Sequence, residues 1–135
     1  MNLKHLLECY RYKNIGYSSI TYEPDNRNIA TIHFNDCVKA VCVSDSEKIL
    51  NMNILISYNK KDNSNVLQAI SILNIIACSI HCLSNISSEE EKIILKELGL
   101  YDGSFKNTKR IRHEDVLYKC GIINSILTLS IYKNF

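Results

Sequence analysis

The sequence is poor in the residues that bend or punctuate a chain, with one proline, four glycines and no tryptophan among 135 residues. So little glycine leaves no Gly-rich loop to cradle a phosphate, and no paired-carboxylate motif stands beside that gap. An excess of charge is missing too. Sixteen Lys and Arg against fourteen Asp and Glu leave a net +2. Composition therefore makes no strong case for nucleic acid or an anionic membrane. No internal repeat and no low-complexity segment is found. The opening MNLKHLLECY breaks its apolar run with Lys4, His5 and Glu8. No signal peptide and no convincing membrane segment is expected, and the expected location is cytoplasmic. Six cysteines (Cys9, Cys37, Cys42, Cys78, Cys82 and Cys120) are then expected to be reduced thiols serving as small apolar residues.

What the chain does have is an ordinary globular balance, 46% hydrophobic and 22% charged. Residues 1–135 make a single domain, large enough to bury a core without disulfides or metal. The abundance of Ile, Asn, Lys and Tyr is what AT-rich coding DNA produces and carries no chemistry. The most conspicuous stretch is 66–83, VLQAISILNIIACSIHCL, which contains no Gly, Pro or charge. On a helical wheel Val66, Ala69, Ile70, Leu73, Ile76, Ala77, Ile80 and Leu83 fill one face, and Leu67, Ile75, Cys78 and Cys82 add apolar positions opposite. A helix apolar around more than half its circumference is buried on two sides. Gln68, Asn74 and His81 would each be costly in lipid, so the stretch predicts a buried central helix whose second face is a subunit interface.

In chain order, 2–13 reads as an amphipathic helix on Leu3, Leu6, Leu7 and Tyr10. Alternation predicts strands at 17–23, 28–34, 38–43 and 50–58, with a turn at Pro24-Asp25-Asn26-Arg27 and another at Asn35-Asp36. In the fourth strand Leu50, Met52, Ile54, Ile56 and Tyr58 share one face. A polar loop at 60–65 leads to Asn65 and Gln68, which resemble a capping pair for the central helix. Segment 88–98 is open between helix, favoured by Ser87 and three glutamates, and strand, favoured by Ile93, Ile94, Leu95 and Leu98. Residues 106–113 are basic and expected to be exposed. Residues 114–132 are expected to begin as a helix on Val116, Leu117, Cys120, Ile123 and Leu127. The expected class is α+β: an N-terminal helix, an antiparallel β-meander, a long central apolar helix and a C-terminal helix.

Constellations for chemistry are weak. Cys78, His81 and Cys82 lie within one helical turn, but a four-ligand zinc site would need a second pair, Cys37 and Cys42, and the helix asks for small apolar residues at these positions anyway. No metal and no cofactor is expected. No Cys–His or Ser–His arrangement sits in a recognisable signature, so no catalytic residue is assigned and the chain is not expected to be an enzyme. The cluster Lys106, Lys109, Arg110, Arg112 and His113 has only Phe105 as an interleaved aromatic, and a solvated loop is the expectation over nucleic acid. What remains is surface: apolar residues on both sheet faces and an exposed strand edge suited to an extended peptide.

The order of a short helix, IGYSSITYEPDNRNIATIHFND, VKAVCVS, KILNMNILIS and the apolar NVLQAISILNIIACSI resembles the small homodimeric class I chaperones of bacterial type III secretion, especially the multi-effector kind. The nearest local matches are 69–75 and 32–36, and the resemblance covers roughly the first 83 residues. It implies a cytoplasmic homodimer that holds the N-terminal segment of secreted effectors extended, without catalysis. It implies groove residues Leu3, Leu7, Ile20, Tyr22, Ile29, Ile32 and Phe34, and dimer residues Leu67, Ser71, Ile75, Cys78, Cys82, Ile93 and Leu95. It also implies a strand at 93–100. Two other classes stay open: a small inhibitor or regulator from a virus, phage or mobile element that binds one folded target, and a cysteine–histidine metal or thiol protein.

Overall fold

The computed structural model describes residues 1–57 and 65–133. It is strand-rich. Helix α1 (Leu3–Tyr12) is followed by β1 (Ser19–Glu23), β2 (Asn26–His33), β3 (Val38–Asp45) and β4 (Lys48–Ile56). Helices α2 (Asn65–Ser84) and α3 (Ser88–Glu97) come next, then a 3-10 turn at Ser104–Lys106. Strands β5 (Lys109–His113), β6 (Val116–Ile123) and β7 (Ile126–Lys133) come last among the described residues. All seven strands join one antiparallel sheet in the order β1-β2-β3-β4-β7-β6-β5.

This corrects the expected architecture. Among the described residues the fold is a seven-stranded sheet with three helices, none longer than 20 residues, and not a long apolar helix set over a short meander. The C-terminal helix expected at 114–132 is the β6–β7 hairpin. Val116, Leu117, Cys120 and Leu127 do have helical spacing, but Leu127, Leu129 and Ile131 alternate, and all three are buried. Asn124 and Ser125, at φ 51° and 66°, form the two-residue turn between paired Ile123 and Ile126. Two central residues at positive φ give the turn whose twist matches a hairpin. The basic segment is likewise not a loop, because Lys109–His113 is the edge strand β5. Segment 88–98 resolves to helix: Ser87 Oγ accepts from the Glu90 backbone N–H at 3.2 Å, and Glu89, Glu90 and Glu91 sit on the positive helix end. The strand implied at 93–100 is therefore not formed. Tyr58 and the 60–64 loop lie outside the described residues, as do the side chains of 65–68, so the capping pair cannot be placed.

Turn geometry sets the register. Asn35 Oδ1 accepts from the backbone N–H groups of Cys37 and Val38 at 2.8 and 3.0 Å, turning β2 into β3. Ser46 and Glu47, both at positive φ, close β3–β4. A register shift between Val43 and Ser44 then places Ile49 in the core and leaves Leu50 exposed, where uninterrupted alternation would bury Leu50.

One sheet face is buried and the other is open. The buried rows run Ala30–Cys42–Met52–Ile131–Tyr118 and Ile32–Ala40–Ile54–Leu129–Cys120. Helices α1, α2 and α3 cover that face, α1 packing on α2, α2 on α3, and α3 on β5. Each fully buried Ile or Leu there contributes about 1.5–3 kcal/mol. Two buried phenols tie α2 to what lies below and beside it. Tyr10 of α1 stacks edge-on against Phe34 (centroids 5.2 Å apart) and places its hydroxyl 2.5 Å from Ser79 Oγ. Ser79 in turn donates to the Ile75 carbonyl at 2.6 Å, which leaves Tyr10 as donor in the pair. Tyr118 of β6 donates to Ser84 Oγ at the far end of the same helix. Burial pushes both phenols above their ordinary pKa, so both remain protonated donors.

Replacing Ser125 by glycine tests the hairpin. A left-handed residue in a turn is relieved by Gly, whereas Gly inside a helix costs about 1 kcal/mol. Ser125→Gly should raise the unfolding free energy by about 0.5–1 kcal/mol in denaturant titration. A loss of that size would restore the helical alternative.

Candidate binding site

The residues expected to form a partner groove divide. Ile32 and Phe34 are core residues, 0% and 7% exposed, so neither can meet a partner. Ile20 and Ile29 are partly buried within the sheet. Leu3, Leu7 and Tyr22 do come together. Leu3 and Leu7 lie one turn apart on the outer flank of α1, and Tyr22, on β1, is 52% exposed. With Ile15 and Tyr17 they line an open groove of about 560 Å³ between the helix and the first edge strand, rimmed by Lys4, Glu8 and Arg11. Asn2 starts α1 by accepting from the His5 backbone N–H at 2.9 Å, which fixes the side of the helix that Leu3 and Leu7 present.

The two sheet edges differ in charge. Strand β5 carries Lys109, Arg110, Arg112 and His113, the kind of edge that repels strand addition. Strand β1, SITYE, carries only Glu23. The groove thus lies beside the less guarded edge. The open sheet face adds a mixed surface, with Thr31, Val41, Asn53, Ser130 and Lys119 in register across five strands. Ser130 donates to Asn53 Oδ1 at 2.6 Å within that row.

The residues expected at a dimer interface are mostly spoken for. Ile75, Cys78, Cys82 and Leu95 are buried in the chain's own core, between α2, α1 and α3. The second apolar side of α2 meets α1 and α3, which sequence periodicity alone could not supply. Ser71 and Ile93 are exposed, as is Ile70 at 53%, and the Leu67 side chain lies outside the described residues.

A second concavity, about 570 Å³, opens where the end of α1 meets α2 and α3, with Lys13, Asn74, Cys78, His81 and Glu91 on its wall. His81 Nδ1 is buried, has no hydrogen bond among the described residues and lies 3.5 Å from Glu91 Oε2. Glu90, beside it on α3, accepts from His113 Nε2 at 2.9 Å. Consecutive glutamates thereby tie α3 to α2 and to β5. Desolvation raises the Glu91 carboxyl above its ordinary pKa, with His81, Lys13 and Lys92 pulling the other way. Behind this cleft the Sγ atoms of Cys9, Cys78 and Cys82 gather. Cys9 and Cys82 are joined as a disulfide, against the expectation of six reduced thiols. Cys37 and Cys42, the pair a four-ligand site would have drawn on, do not join the cluster. Burial pushes the Cys42 thiol up to about 12 and the Cys120 thiol up to about 11. Nothing in one sequence links Cys9 to a pair about seventy residues downstream; it takes the packing of α1 on α2. Among the described residues no helix is long and apolar enough to cross a membrane.

Comparison with protein-family models, with curated proteins and with solved structures found no match for this chain.

The raised Glu91 carboxyl carries a pH signature. The folded state holds this proton more tightly than the unfolded chain, so stability is lost as pH rises from the ordinary carboxylate range through the raised value. Glu91→Gln should flatten that part of the stability–pH curve and leave the variant at least as stable as the parent at neutral pH. A variant that is less stable at neutral pH than at pH 4, relative to the parent, would show that the His81 contact outweighs desolvation.

Proposed function

We propose that the protein is a non-enzymatic interaction module that takes an extended segment of a partner protein along the α1–β1 side. The observation that carries this is the apolar groove of Leu3, Leu7, Ile15, Tyr17 and Tyr22 lying beside an edge strand with one charge. Backbone pairing to β1 would supply affinity irrespective of sequence, and the groove would select apolar side chains on alternate positions. In its most specific form this is the effector-holding activity of a type III secretion chaperone, at work in the cytoplasm as a homodimer. Self-association would then use Ile70, Ser71 and Ile93, because Ile75, Cys78, Cys82 and Leu95 are occupied within the chain. The resemblance to those chaperones is carried by the order of elements up to α2 and not beyond it, since three strands and no closing helix follow α3.

The open sheet face favours a second reading, an inhibitor or regulator that seats one folded target on the surface around Val41, Asn53 and Lys119. Peptides selected from a displayed library separate the two. On the first reading, bound peptides protect β1 amides from hydrogen exchange, and Leu7→Glu weakens them at least about tenfold, or 1.4 kcal/mol. Selected peptides that bind Leu7→Glu as tightly as the parent would overturn it. Light scattering under reducing conditions decides the chaperone form: it requires about twice the 15.5 kDa chain mass, and a monomer excludes it.

A further inference from the structure

We propose that the reduced chain binds one thiophilic d10 cation, zinc(II) or copper(I), between α1 and α2 through the thiolates of Cys9, Cys78 and Cys82. A disulfide needs two sulfurs, and here three converge. All three Sγ atoms lie within 4.8 Å of one another, and Cys78 Sγ stands 3.8 Å from Cys82 Sγ. Around zinc with Zn–S near 2.3 Å, tetrahedral thiolates stand about 3.8 Å apart. That is the Cys78–Cys82 separation. Cys78 and Cys82 are one turn apart on α2, so the helix sets this edge before any ion arrives. Cys9 comes from α1, whose position is set independently by the Tyr10 hydroxyl on Ser79. The three ligands therefore rest on two helices placed by packing, and on reduction the Cys9 and Cys82 sulfurs, carried by Cα atoms 6.6 Å apart, must part to take the ion between them.

The site is dry. Cys78 and Cys82 are 6% and 8% exposed, so the sulfurs are held away from water, and the Cys78 thiol donates to the Cys9 carbonyl at 4.0 Å. Burial pushes the Cys78 thiol up to about 11, Lys13 (one turn beyond Cys9) pulls it down and Glu91 raises it, so binding an ion must displace the proton. Cys78 also lines the cleft, so a fourth zinc position would open on that side. Copper(I) would need no fourth donor. Thiolates are the preferred ligands of both ions. The oxidised chain, with Cys9 bonded to Cys82, has lost two of the three donors, so the ion belongs to the reduced protein. A reducing cytoplasm would keep the chain in that state.

The test uses the full chain, reduced with a phosphine and held anaerobically. Zinc(II) is titrated against a chromophoric competitor, copper(I) against a bicinchoninate competitor, and cobalt(II) serves as a spectroscopic probe for thiolate charge transfer. The expected result is one equivalent of zinc or copper(I) per chain, at least tenfold weaker binding in Cys78→Ala, and unchanged binding in Cys42→Ser. The two competitors tell which ion is preferred. The chain carrying the Cys9–Cys82 bond should bind neither. Because Cys78→Ala could fail to fold, the parent's stoichiometry decides independently. Less than half an equivalent of either ion on the folded, reduced parent would overturn the proposal. So would a folded Cys78→Ala that binds as the parent does, since Cys9 and Cys82 would then form only a disulfide pair.

Discussion

Everything in this fold depends on how α2 is seated on the sheet. An apolar helix over a flat apolar sheet has little to fix its position, because dispersion and hydrophobic burial are non-directional. Two hydrogen bonds supply the direction. Tyr10, anchored by Phe34 at the end of β2, reaches Ser79, and Tyr118, from β6, reaches Ser84. One phenol comes from α1, against Phe34 just after β2, the other from β6, and they grip two points of one helix. Tyr10 and Tyr118 are both 0% exposed, so neither hydroxyl could return to water if its serine were lost. Once α2 is placed, α1 and α3 flank it, the groove beside β1 takes its shape, and the three sulfurs meet.

How much of this was legible in the sequence follows from what kind of signal each part gives. Alternation is local, so Met52, Ile54 and Ile56 could be placed together on one strand face from the residues alone, whereas which face is buried could not, and Ile32, expected in the groove, is core. Helix starts are local too, as Asn2 and Ser87 show. The β6–β7 hairpin was hidden because Val116, Cys120, Ile123 and Leu127 satisfy a helical period while Leu127, Leu129 and Ile131 satisfy a strand period, and the deciding turn, Asn124-Ser125, lacks the glycine that usually announces it. The exchange of Leu50 for Ile49 in the core rests on one register shift, which no composition signals. Site residues fared worse for a physical reason. Whether Ile75 or Leu95 faces a second subunit or the chain's own α1 and α3 depends on packing across the whole fold, and periodicity reports only that both sides are apolar.

The functional reading rests on asymmetry rather than on any catalytic constellation. One edge of the sheet is guarded by Lys109, Arg110, Arg112 and His113 and the other by Glu23 alone. The groove lies beside the second. The thiol cluster lies behind α1, on the side away from that groove's rim, and it links α1 to α2 whether the sulfurs are joined to each other or to an ion. Either state pins the helix that carries Leu3 and Leu7, so the chemistry of Cys9 and the shape of the binding groove are properties of one helix.

A double-mutant cycle at Tyr10 and Ser79, read by denaturant unfolding, tests the seating of α2 most directly. Ser79→Ala strands a buried phenol beside only the Met52 sulfur, 3.9 Å away, and should cost about 1–3 kcal/mol. Tyr10→Phe should cost less, because Ser79 keeps its bond to the Ile75 carbonyl. The double variant should be more stable than the sum of the two losses by about 1 kcal/mol or more. Strictly additive losses would mean that the two hydroxyls do not act on each other and that α2 is held by apolar packing alone.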